Sequence, residues 1–579
     1  MSAKTPTTSS YEIWKTKDLP QGEVDLIKAS TGLSLFVSRI LLQRLENCTE
    51  TSEEWISPRL EHIIDPHELR FCEQSAKILA QFIRDNKTIG IFSDYDVDGI
   101  SSAALLARAI AGLGGTTQNF IPDRMEEGYG LSHTALERSF SENAPDLLMV
   151  LDCGTRSDSE LEWIAKQGTT TIVVDHHSRD DQPTLPDSCL IINPHLPDQL
   201  QPQFQNHCTV GLVFKLVHAL LRYWENEFGG ARDKVNLKDL LDLVALGTVA
   251  DLVPLQGENR IFVHHGLKQL AATNNHGLRA LLQVSDVDVN NPLNCSDIGF
   301  RLGPRINAGG RIENGSLALD LLLTGDNRLA FDLARKLDSI NSERRSLERR
   351  VIDQALEQIA GDPPMGIVFW GKEWHPGVVG IVAGRLSRQF HRPAIVLGWD
   401  GSGFKGSGRG ISGLNLLEVM QNCEVQPPKW GGHPAAMGLS IEEDMIPEFA
   451  KAFDKSVQEI CSGKIPPKTL RIDAITEPTS ISRQQILEIE SLGPFGQKNP
   501  EPIIAVHGVQ LSEPPRLMGK DHIRFQLPGA EGIQVIGWRM ADHMPPIHEE
   551  IDLAMRLNRS WWRGRESVRG ELVDWRRSV

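Results

Sequence analysis

The sequence lacks three features that would assign it to a membrane, to the cell exterior or to a thiolate metal site. No apolar run approaches the ~20 residues needed to cross a bilayer. The start of the chain has no apolar core after a basic patch, so we expect no secretion signal and a cytoplasmic protein. None of the eight cysteines forms a C-x-x-C pair, so neither a zinc site of this type nor a disulfide framework is predicted.

Positive charge is also scarce. The net charge is −16, from 60 Lys and Arg residues against 76 Asp and Glu residues, which argues against binding of nucleic acid by overall charge. Residues 556–579 are a local exception, with seven arginines and three acidic residues. Trp561, Trp562 and Trp575 are interleaved with these arginines, a combination that could bind a single strand by stacking and charge. Alternatively, the tryptophans belong to the core of their domain.

The length of 579 residues predicts several domains. Short apolar runs alternate with helical stretches from residue 87 onward, which predicts an α/β domain with a parallel sheet. A second, smaller α/β unit begins near residue 366, and short strands typical of a β-barrel follow residue 466. The predicted order is an N-terminal tail with helices at 1–60, the parallel-sheet domain at 61–314, a long connecting helix at 315–361, the smaller α/β domain at 362–464 and the barrel at 465–579.

Three aspartates occupy alternate positions in the segment 91–107, IFSDYDVDGISSAALLA, directly before a helical stretch. Asp94, Asp96 and Asp98 repel one another unless a cation binds between them. An EF-hand calcium loop begins with similar residues, but it requires Glu at its twelfth position, where this sequence has Leu105. A solvated turn with a helix cap is the alternative for any single aspartate.

Two further predicted strands of the same sheet also end in potential metal ligands. Asp152 follows one strand, and Asp175, His176 and His177 follow the next. Ligands bind beyond the carboxyl ends of strands in an open parallel sheet, so these side chains are expected around a common point. Asp251, after a predicted helix, could complete the set. Carboxylates mixed with imidazoles suit Mn²⁺ or Mg²⁺, and two such ions could activate water for phosphoester hydrolysis.

The motifs around these residues resemble those of the DHH phosphoesterase superfamily, which they match in order: SDYDVDG, LDCGTRS, VVDHH and GTVADLVPL. The later motifs are similar to the RecJ branch: LGPRINAGGRI, HPGVVGIVAGRL, KGSGRG, GGHPAAMGLSI and LGPFGQKNPEPI. The resemblance covers roughly residues 20–540. It implies a DHH domain, a DHHA1 domain and an OB-like barrel, and a 5′-to-3′ exonuclease specific for single-stranded DNA.

The resemblance also implies two divalent metal ions, Mn²⁺ or Mg²⁺, and their ligands. Asp96 and Asp152, helped by Asp94, would bind one ion. The second ion would be bound by Asp98, Asp152, His176 and Asp251, which makes Asp152 the bridge. His177 would face the scissile phosphate and act with Asp152 in catalysis, with a packed or supporting histidine as the alternative. Asp175 would orient a histidine.

Substrate binding is implied for a second set of residues: Arg305, Asn307, Arg311, Ser407, Arg409, Gly432 and His433. Arginine offers a planar fork for phosphate oxygens, and glycines let backbone N–H groups approach a phosphate. A glycine-rich turn without the resemblance would be a weak signal. The sequence departs from the family pattern at Gly309, where NAGGR replaces NAAGR.

Two other functions remain open. A DHH-type phosphodiesterase acting on small nucleotides or short RNA would share the metal ligands but would not need a C-terminal barrel. A non-catalytic replication scaffold of the same fold would tend to lose metal ligands, whereas every candidate is present here. The resemblance implies release of 5′-mononucleotides in DNA repair and recombination. It also implies single-stranded DNA, a helicase and a single-strand-binding protein as partners, without a membrane.

Overall fold

The computed structural model describes the following residues: 10–46, 48–123, 127–128, 130–141, 144–197, 200–312, 315–359, 361–562 and 565–578. Five side chains within these ranges are not described, those of Arg232, Arg311, Ile312, Trp562 and Arg565. The chain divides into two compact units. The first contains Thr16–Asp338 and Arg471–Val579, and the second contains Ser10–Lys15 and Ser339–Leu470. Within the described ranges, no helix is long and apolar enough to span a bilayer.

The N-terminal region contains one short strand and four helices: β1 (Ile13–Thr16), α1 (Gln21–Thr31), α2 (Leu35–Leu45), α3 (Ser52–Ile56) and α4 (Cys72–Arg84). The sequence predicted residues 1–60 as a tail with helices of its own. In the structure, Val37 and Ile40 of α2 and Trp55 of α3 are fully buried in one core with residues beyond 470. The apolar residues of α4 belong instead to the core of the parallel-sheet domain.

A five-stranded sheet forms the centre of the first unit, and all its strands are parallel in the order β3-β2-β4-β5-β6. The strands are β2 (Ile89–Ser93), β3 (Thr117–Phe120), β4 (Leu147–Leu151), β5 (Thr170–Val174) and β6 (Cys189–Ile192). Side chains of the central strands alternate between two cores. Leu147 and Met149 face one core and Leu148 and Val150 the other, as expected for a strand that is covered on both faces.

Helices cover this sheet on both faces and extend the domain. They are α5 (Val97–Gly112), α6 (His133–Phe140), α7 (Asp158–Lys166), α8 (Thr209–Glu227), α9 (Ala231–Lys234), α10 (Leu241–Ala250), α11 (Gly257–Ala271), α12 (His276–Val284), α13 (Cys295–Asp297), α14 (Gly303–Ile312) and α15 (Ser316–Leu323). A π-helical segment, Ile298–Leu302, connects α13 to α14. The apolar helix α10 is buried over nearly its whole length, so its ends are held firmly in the core.

The second unit is a smaller α/β domain that follows the 31-residue helix α16 (Asn327–Glu357). Its further elements are β7 (Ile367–Gly371), α17 (Pro376–Phe390), β8 (Ala394–Trp399), β9 (Phe404–Arg409), α18 (Leu416–Gln421), β10 (Lys429–His433), β11 (Ala436–Ile441) and α19 (Ile446–Ile460). The sheet order is β10-β11-β9-β8-β7, with one parallel pair, β7 and β8. Helices α16 and α17 cover one face, and α18 and α19 cover the other.

The remaining elements are β12 (Thr469–Ile472), β13 (Ala474–Thr476), α20 (Arg483–Ser491), β14 (Ile504–Gln510), β15 (Arg516–Met518), β16 (His522–Gln526), β17 (Gln534–Gly537), β18 (Glu550–Trp562) and β19 (Arg565–Arg577). Strand β12 pairs with β1. The seven strands β13 to β19 form one sheet in the order β13-β14-β18-β19-β17-β16-β15. The predicted fold class is confirmed: a parallel-sheet domain, a long helix, a smaller α/β domain and a C-terminal β-domain of the OB type.

Candidate metal centre and substrate-binding residues

Four polar residues lie in a row at the carboxyl edge of the parallel sheet. Asp94, Asp152 and Asp175 each follow a strand and donate their backbone N–H to the last residues of the neighbouring strands, at 3.0–3.2 Å. Asn193 follows β6 in the same position. Because β2, β4, β5 and β6 are successive neighbours, the sheet ladder itself fixes the spacing of the four side chains. The sequence predicted three of these four positions.

The other two aspartates of the first motif lie at the start of α5. The Asp96 carboxylate caps this helix by accepting hydrogen bonds from the N–H groups of Asp98 (2.9 Å) and Gly99 (3.1 Å). Gly99 is required here, because a Cβ would lie 2.3 Å from the Asp94 carbonyl oxygen. The helix can therefore begin directly beside the sheet edge, and its positive end faces the aspartates.

A second helix N-terminus, that of α8, holds two of the carboxylates. The N–H groups of Thr209 and Val210 donate to the two oxygens of Asp98, at 2.7 and 2.9 Å. The Thr209 hydroxyl donates to Asp152 Oδ1 at 2.9 Å. Asp98 and Asp152 are both fully buried, so these bonds fix their orientation. Sequence reasoning missed Thr209, whose signal is a polar residue directly before an apolar helical run.

Asp251 reaches this cluster from the end of α10. The helix can approach because residue 247 is glycine: a Cβ there would lie 3.0 Å from Asp98 Oδ1 and 2.7 Å from Val210 Cγ1. Asp251 Oδ2 is buried and has no hydrogen-bond partner within the described residues. A buried carboxylate oxygen of this kind is unfavourable unless a cation binds to it.

His176 lies at the centre of the carboxylates. Its Nε2 is 3.5 Å from Asp152 Oδ1, 3.6 Å from Asp251 Oδ2 and 4.0 Å from Asp98 Oδ2. Ligand atoms lie within 4.8 Å of one another in three groups: Asp94, Asp96 and Asp152; Asp98, His176 and Asp251; Asp152, His176 and His177. Asp152 shares one group with Asp94 and Asp96 and another with His176, and its role as a bridging ligand stays a prediction. All predicted metal ligands are thus brought together.

The electrostatics of the cluster also favour a cation. Burial, followed by the charge of Asp96, raises the pKa of Asp98 to about 7. Burial and the charges of Asp98 and Asp96 raise the pKa of Asp251 to about 8, and the pKa of Asp152 is raised for the same reasons. Burial lowers the pKa of His176 to about 4, so its imidazole is neutral and can act as a ligand. The residues therefore fit divalent ions bound by oxygen and nitrogen.

His177 has a different environment, because its Nδ1 lies 2.7 Å from Asp175 Oδ1. The same carboxylate accepts the backbone N–H groups of His176, His177 and Thr155. Burial alone would raise the pKa of Asp175, but these interactions lower it. The hydrogen bond to Asp175 raises the pKa of His177 to about 9, which keeps this half-exposed imidazole positively charged. Asp175 thus lies where an orienting residue is expected.

The comparisons with known proteins agree with this geometry. Residues 88–248 match the DHH family, N-terminal domain, residues 362–459 match the DHHA1 domain, and residues 472–574 match the RecJ OB domain. The single-stranded-DNA-specific exonuclease RecJ of Escherichia coli is 33% identical over 582 residues, which cover 96% of each chain. The chain belongs to the RecJ family.

Other RecJ proteins show the extent of the similarity. RecJ of Bacillus subtilis is 33% identical over 89% of this chain, and the match spans 64% of that longer protein. The crystal structure of RecJ from Thermus thermophilus in complex with Mn²⁺ is 28% identical and superimposes with a TM-score of 0.81. That comparison covers 98% of this chain and 80% of the Thermus chain.

The RecJ-type motif on α14 holds three of the predicted substrate-binding residues. Arg305 is buried and paired with Asp338 at 2.9 Å, and it also donates to the Arg301 carbonyl. Its guanidinium is therefore partly committed within the protein. Asn307 is half-buried on the same helix, and the Arg311 side chain lies outside the described residues. Substrate binding by these three residues stays a prediction.

The other predicted substrate-binding residues of this RecJ chain gather on the sheet of the second unit. His433 on β10 pairs with Ala436 on β11, which pairs with Arg409 on β9, so the register places the three residues in one row. Arg409 donates to Ser407 Oγ at 2.7 Å and has no carboxylate partner within the described ranges. Gly432 has φ +153°, and a Cβ there would lie 2.4 Å from the Ala436 carbonyl oxygen.

Asn193 is a further residue that sequence reasoning missed. Its Nδ2 donates to Thr155 Oγ1 and to the His177 carbonyl oxygen, both at 2.9 Å. Its Oδ1 accepts the N–H of His195 at 2.9 Å. Together with Asp175, Asn193 fixes the backbone that carries His176 and His177. Its signal in the sequence is its position directly after β6, which corresponds to the positions of Asp94, Asp152 and Asp175 after their own strands.

Four of the described arginines of the C-terminal segment have acidic partners. Arg559 pairs with Glu490 at 2.6 Å and with Glu566 at 3.3 Å. Three more form ion pairs within the domain: Arg556 with Glu571, Arg576 with Asp552 and Arg577 with Glu549. Trp575 is buried, as the alternative interpretation expected, and Trp561 packs against Arg559. The side chains of Trp562 and Arg565, and all of Arg563, lie outside the described residues.

Proposed function

We propose that the chain is a 5′-to-3′ exonuclease that hydrolyses single-stranded DNA and releases 5′-mononucleotides with two divalent metal ions. The main support for this proposal is that buried carboxylates and a neutral imidazole from four separate segments of the chain lie close together. Asp94, Asp96 and Asp152 would bind one ion. Asp98, Asp152, His176 and Asp251 would bind the other. The names of the relatives, which are single-stranded-DNA-specific exonucleases, support the substrate, and the Thermus complex supports Mn²⁺.

The residues of the chain have distinct tasks in this mechanism. Bound ions would supply an activated water and would stabilise the leaving oxygen. Asp98 and Asp152 are fixed by α8, so no reorientation is needed when the substrate binds. His177, charged at neutral pH and held by Asp175, would donate a hydrogen bond to a phosphate oxygen of the scissile group.

Substrate polarity would come from the second unit. Ser407, Arg409 and His433 would bind the 5′-terminal phosphate, and Gly432 lets β10 lie close to β11 beside them. The C-terminal OB-type domain would hold the strand farther from the cut. The proposal includes a cytoplasmic setting in DNA repair and recombination, where a helicase supplies the strand and a single-strand-binding protein covers it.

Two observations favour this proposal over the alternatives. A phosphodiesterase for small nucleotides would not need the OB-type domain, which matches the RecJ OB domain over residues 472–574. A replication scaffold would not need a complete ligand set, and here every predicted metal ligand lies in the cluster.

The test is degradation of single-stranded DNA that is labelled at either its 5′ or its 3′ end. With Mn²⁺ we expect the 5′ label to be released first, as a mononucleotide, and no cleavage of blunt duplex DNA. Asp152→Ala should abolish the reaction, whereas Asp187→Ala, which removes an exposed carboxylate of the same domain, should not. Full activity of Asp152→Ala, or release of the 3′ label first, would contradict the proposal.

A further inference from the structure

Helix α17 presents arginines without any acidic residue of its own. Its sequence, PGVVGIVAGRLSRQF, contains Arg385 and Arg388, both exposed. Arg385 is bound to Glu348 of α16 at 3.1 Å, which ties the two helices together. Arg388 has no carboxylate partner within the described part of the chain. Arg388 therefore offers a local positive charge on a protein whose net charge is −16.

Arg388 and Arg409 both lie close to Gly384. A Cβ at this glycine would be 3.9 Å from Arg388 Nη1 and 3.8 Å from Arg409 Cγ. One helical turn earlier, a Cβ at Gly380 would be 3.2 Å from Ser407 Oγ and 3.4 Å from Arg409 Nη2. Both arginines therefore adjoin a strip of helix surface, formed by Gly380 and Gly384, that has no side chains.

Neither arginine forms an ion pair within the described residues. Arg409 is half-buried, and burial lowers its pKa. An unpaired guanidinium can bind an anion without first giving up an ion pair. Its planar fork matches two oxygens of a phosphate, and a glycine surface lets a sugar-phosphate backbone come close.

We infer that Arg388 binds a second backbone phosphate of single-stranded nucleic acid, next to the phosphate bound at Ser407 and Arg409. We call the surface formed by Arg388, Gly384, Gly380 and Arg409 the α17 track. This inference rests on the proposed function for the identity of the polymer. Continuity of the track with the Ser407–Arg409 site favours a nucleic-acid backbone over an acidic peptide.

The experiment measures binding without cleavage. The full chain in EDTA is titrated into a fluorescein-labelled, 5′-phosphorylated oligothymidylate, and anisotropy gives Kd at several salt concentrations between about 50 and 200 mM. Arg388→Ala should weaken binding several-fold at the lowest salt and reduce the slope of log K against log salt by about 0.7, the value for one phosphate contact on a single strand. Arg388→Lys, which keeps the charge, should restore the slope.

Arg350→Ala is the matched control. Arg350 is an exposed arginine of α16 without a carboxylate partner in the described ranges, and its removal changes the net charge equally. An unchanged slope for Arg388→Ala, or an equal loss for Arg350→Ala, would overturn the inference. So would displacement of the oligonucleotide by a polyglutamate peptide as effectively as by unlabelled oligonucleotide. Because the assay contains no metal, failure of the proposed exonuclease activity would leave this result unaffected.

Discussion

Arginines of the C-terminal sheet and arginines of the α17 track differ in their partners. In the sheet, Arg559 and Arg577 form ion pairs with glutamates at 2.6–2.7 Å. In the track, Arg388 and Arg409 have no carboxylate partner among the described residues. From the sequence alone, the C-terminal arginines would be expected to bind nucleic acid in preference to those of α17, because they form the conspicuous cluster of positive charge.

The difference shows that pairing, more than composition, decides which charges are available to a ligand. A phosphate that binds a paired arginine must first displace a carboxylate. A phosphate that binds an unpaired arginine breaks no existing ion pair. The carboxyl edge of the parallel sheet repeats this situation with the opposite sign. Asp98, Asp152 and Asp251 lie around a neutral imidazole, which supplies no positive charge to offset theirs.

The largest expected effect comes from removing an unpaired carboxylate. Asp98→Asn should reduce the Mn²⁺-dependent rate on single-stranded DNA by a factor on the order of 1,000 or more, because metal charge stabilisation contributes several kcal/mol. Glu549→Gln removes a carboxylate that is paired with Arg577 and should change the initial rate less than about twofold. Equal losses in the two variants would remove the distinction between paired and unpaired acids.

A smaller effect is expected from a residue that orients the carboxylates. Thr209→Val deletes the hydroxyl that donates to Asp152, and should raise the Mn²⁺ concentration for half-maximal activity by about 10–100-fold. Thr209→Ser keeps the hydroxyl and should stay close to the parent chain. If Thr209→Val retained normal metal dependence, the hydroxyl would have no part in positioning Asp152.

The unpaired acids should also make the stability of the metal-free protein depend on pH. The folded pKa values of Asp98 (about 7), Asp251 (about 8) and His177 (about 9) lie above their ordinary values, so the folded state binds protons more tightly than the unfolded chain. Each aspartate therefore loses stability from about pH 4 up to its folded pKa, and His177 does so from about pH 6.5 to about 9, so stability falls throughout the interval from about pH 6.5 to about 9. The lowered pKa of His176 acts only below this range.

Thermal unfolding in EDTA measures this dependence. We expect Tm to fall by a few degrees between about pH 6.5 and about pH 8.5, and Mn²⁺ to reduce the slope because the ions replace the protons of Asp98 and Asp251, whereas the contribution of His177 remains. Asp251→Asn should flatten the slope in EDTA. A metal-free Tm that rises over this interval would contradict the assigned shifts.

The smallest effect is expected for a paired arginine. Arg559→Ala should leave the salt dependence of oligonucleotide binding unchanged and should lower stability by about 1 kcal/mol or less, because its ion pairs are partly exposed. The measurement is the same anisotropy titration used for Arg388→Ala, with chemical denaturation for stability. If Arg559→Ala changed the slope of log K against log salt as much as Arg388→Ala, the C-terminal arginines would have to be part of the surface that binds nucleic acid.

The sequence was sufficient for the sheet edge because the end of each strand is a local property of the sequence. Asp94, Asp152 and Asp175 each follow an apolar run, and a parallel sheet brings such positions together. Thr209 and Asn193 could not be assigned from the sequence, because their partners are Asp152 and the His177 carbonyl, distant along the chain. The same holds for Arg559, whose partner Glu490 precedes it by 69 positions.

Helices α2 and α3 have a consequence for how the chain acquires its structure. Val37, Ile40 and Trp55 are synthesised long before the C-terminal elements that pack on α2, such as β13 and α20. During synthesis the apolar faces of these helices therefore stay exposed, or are bound by a chaperone, until the C-terminal elements have been made. A fragment that starts at residue 465 would lack part of its own interior, so dissection of the C-terminal domain requires the N-terminal helices as well.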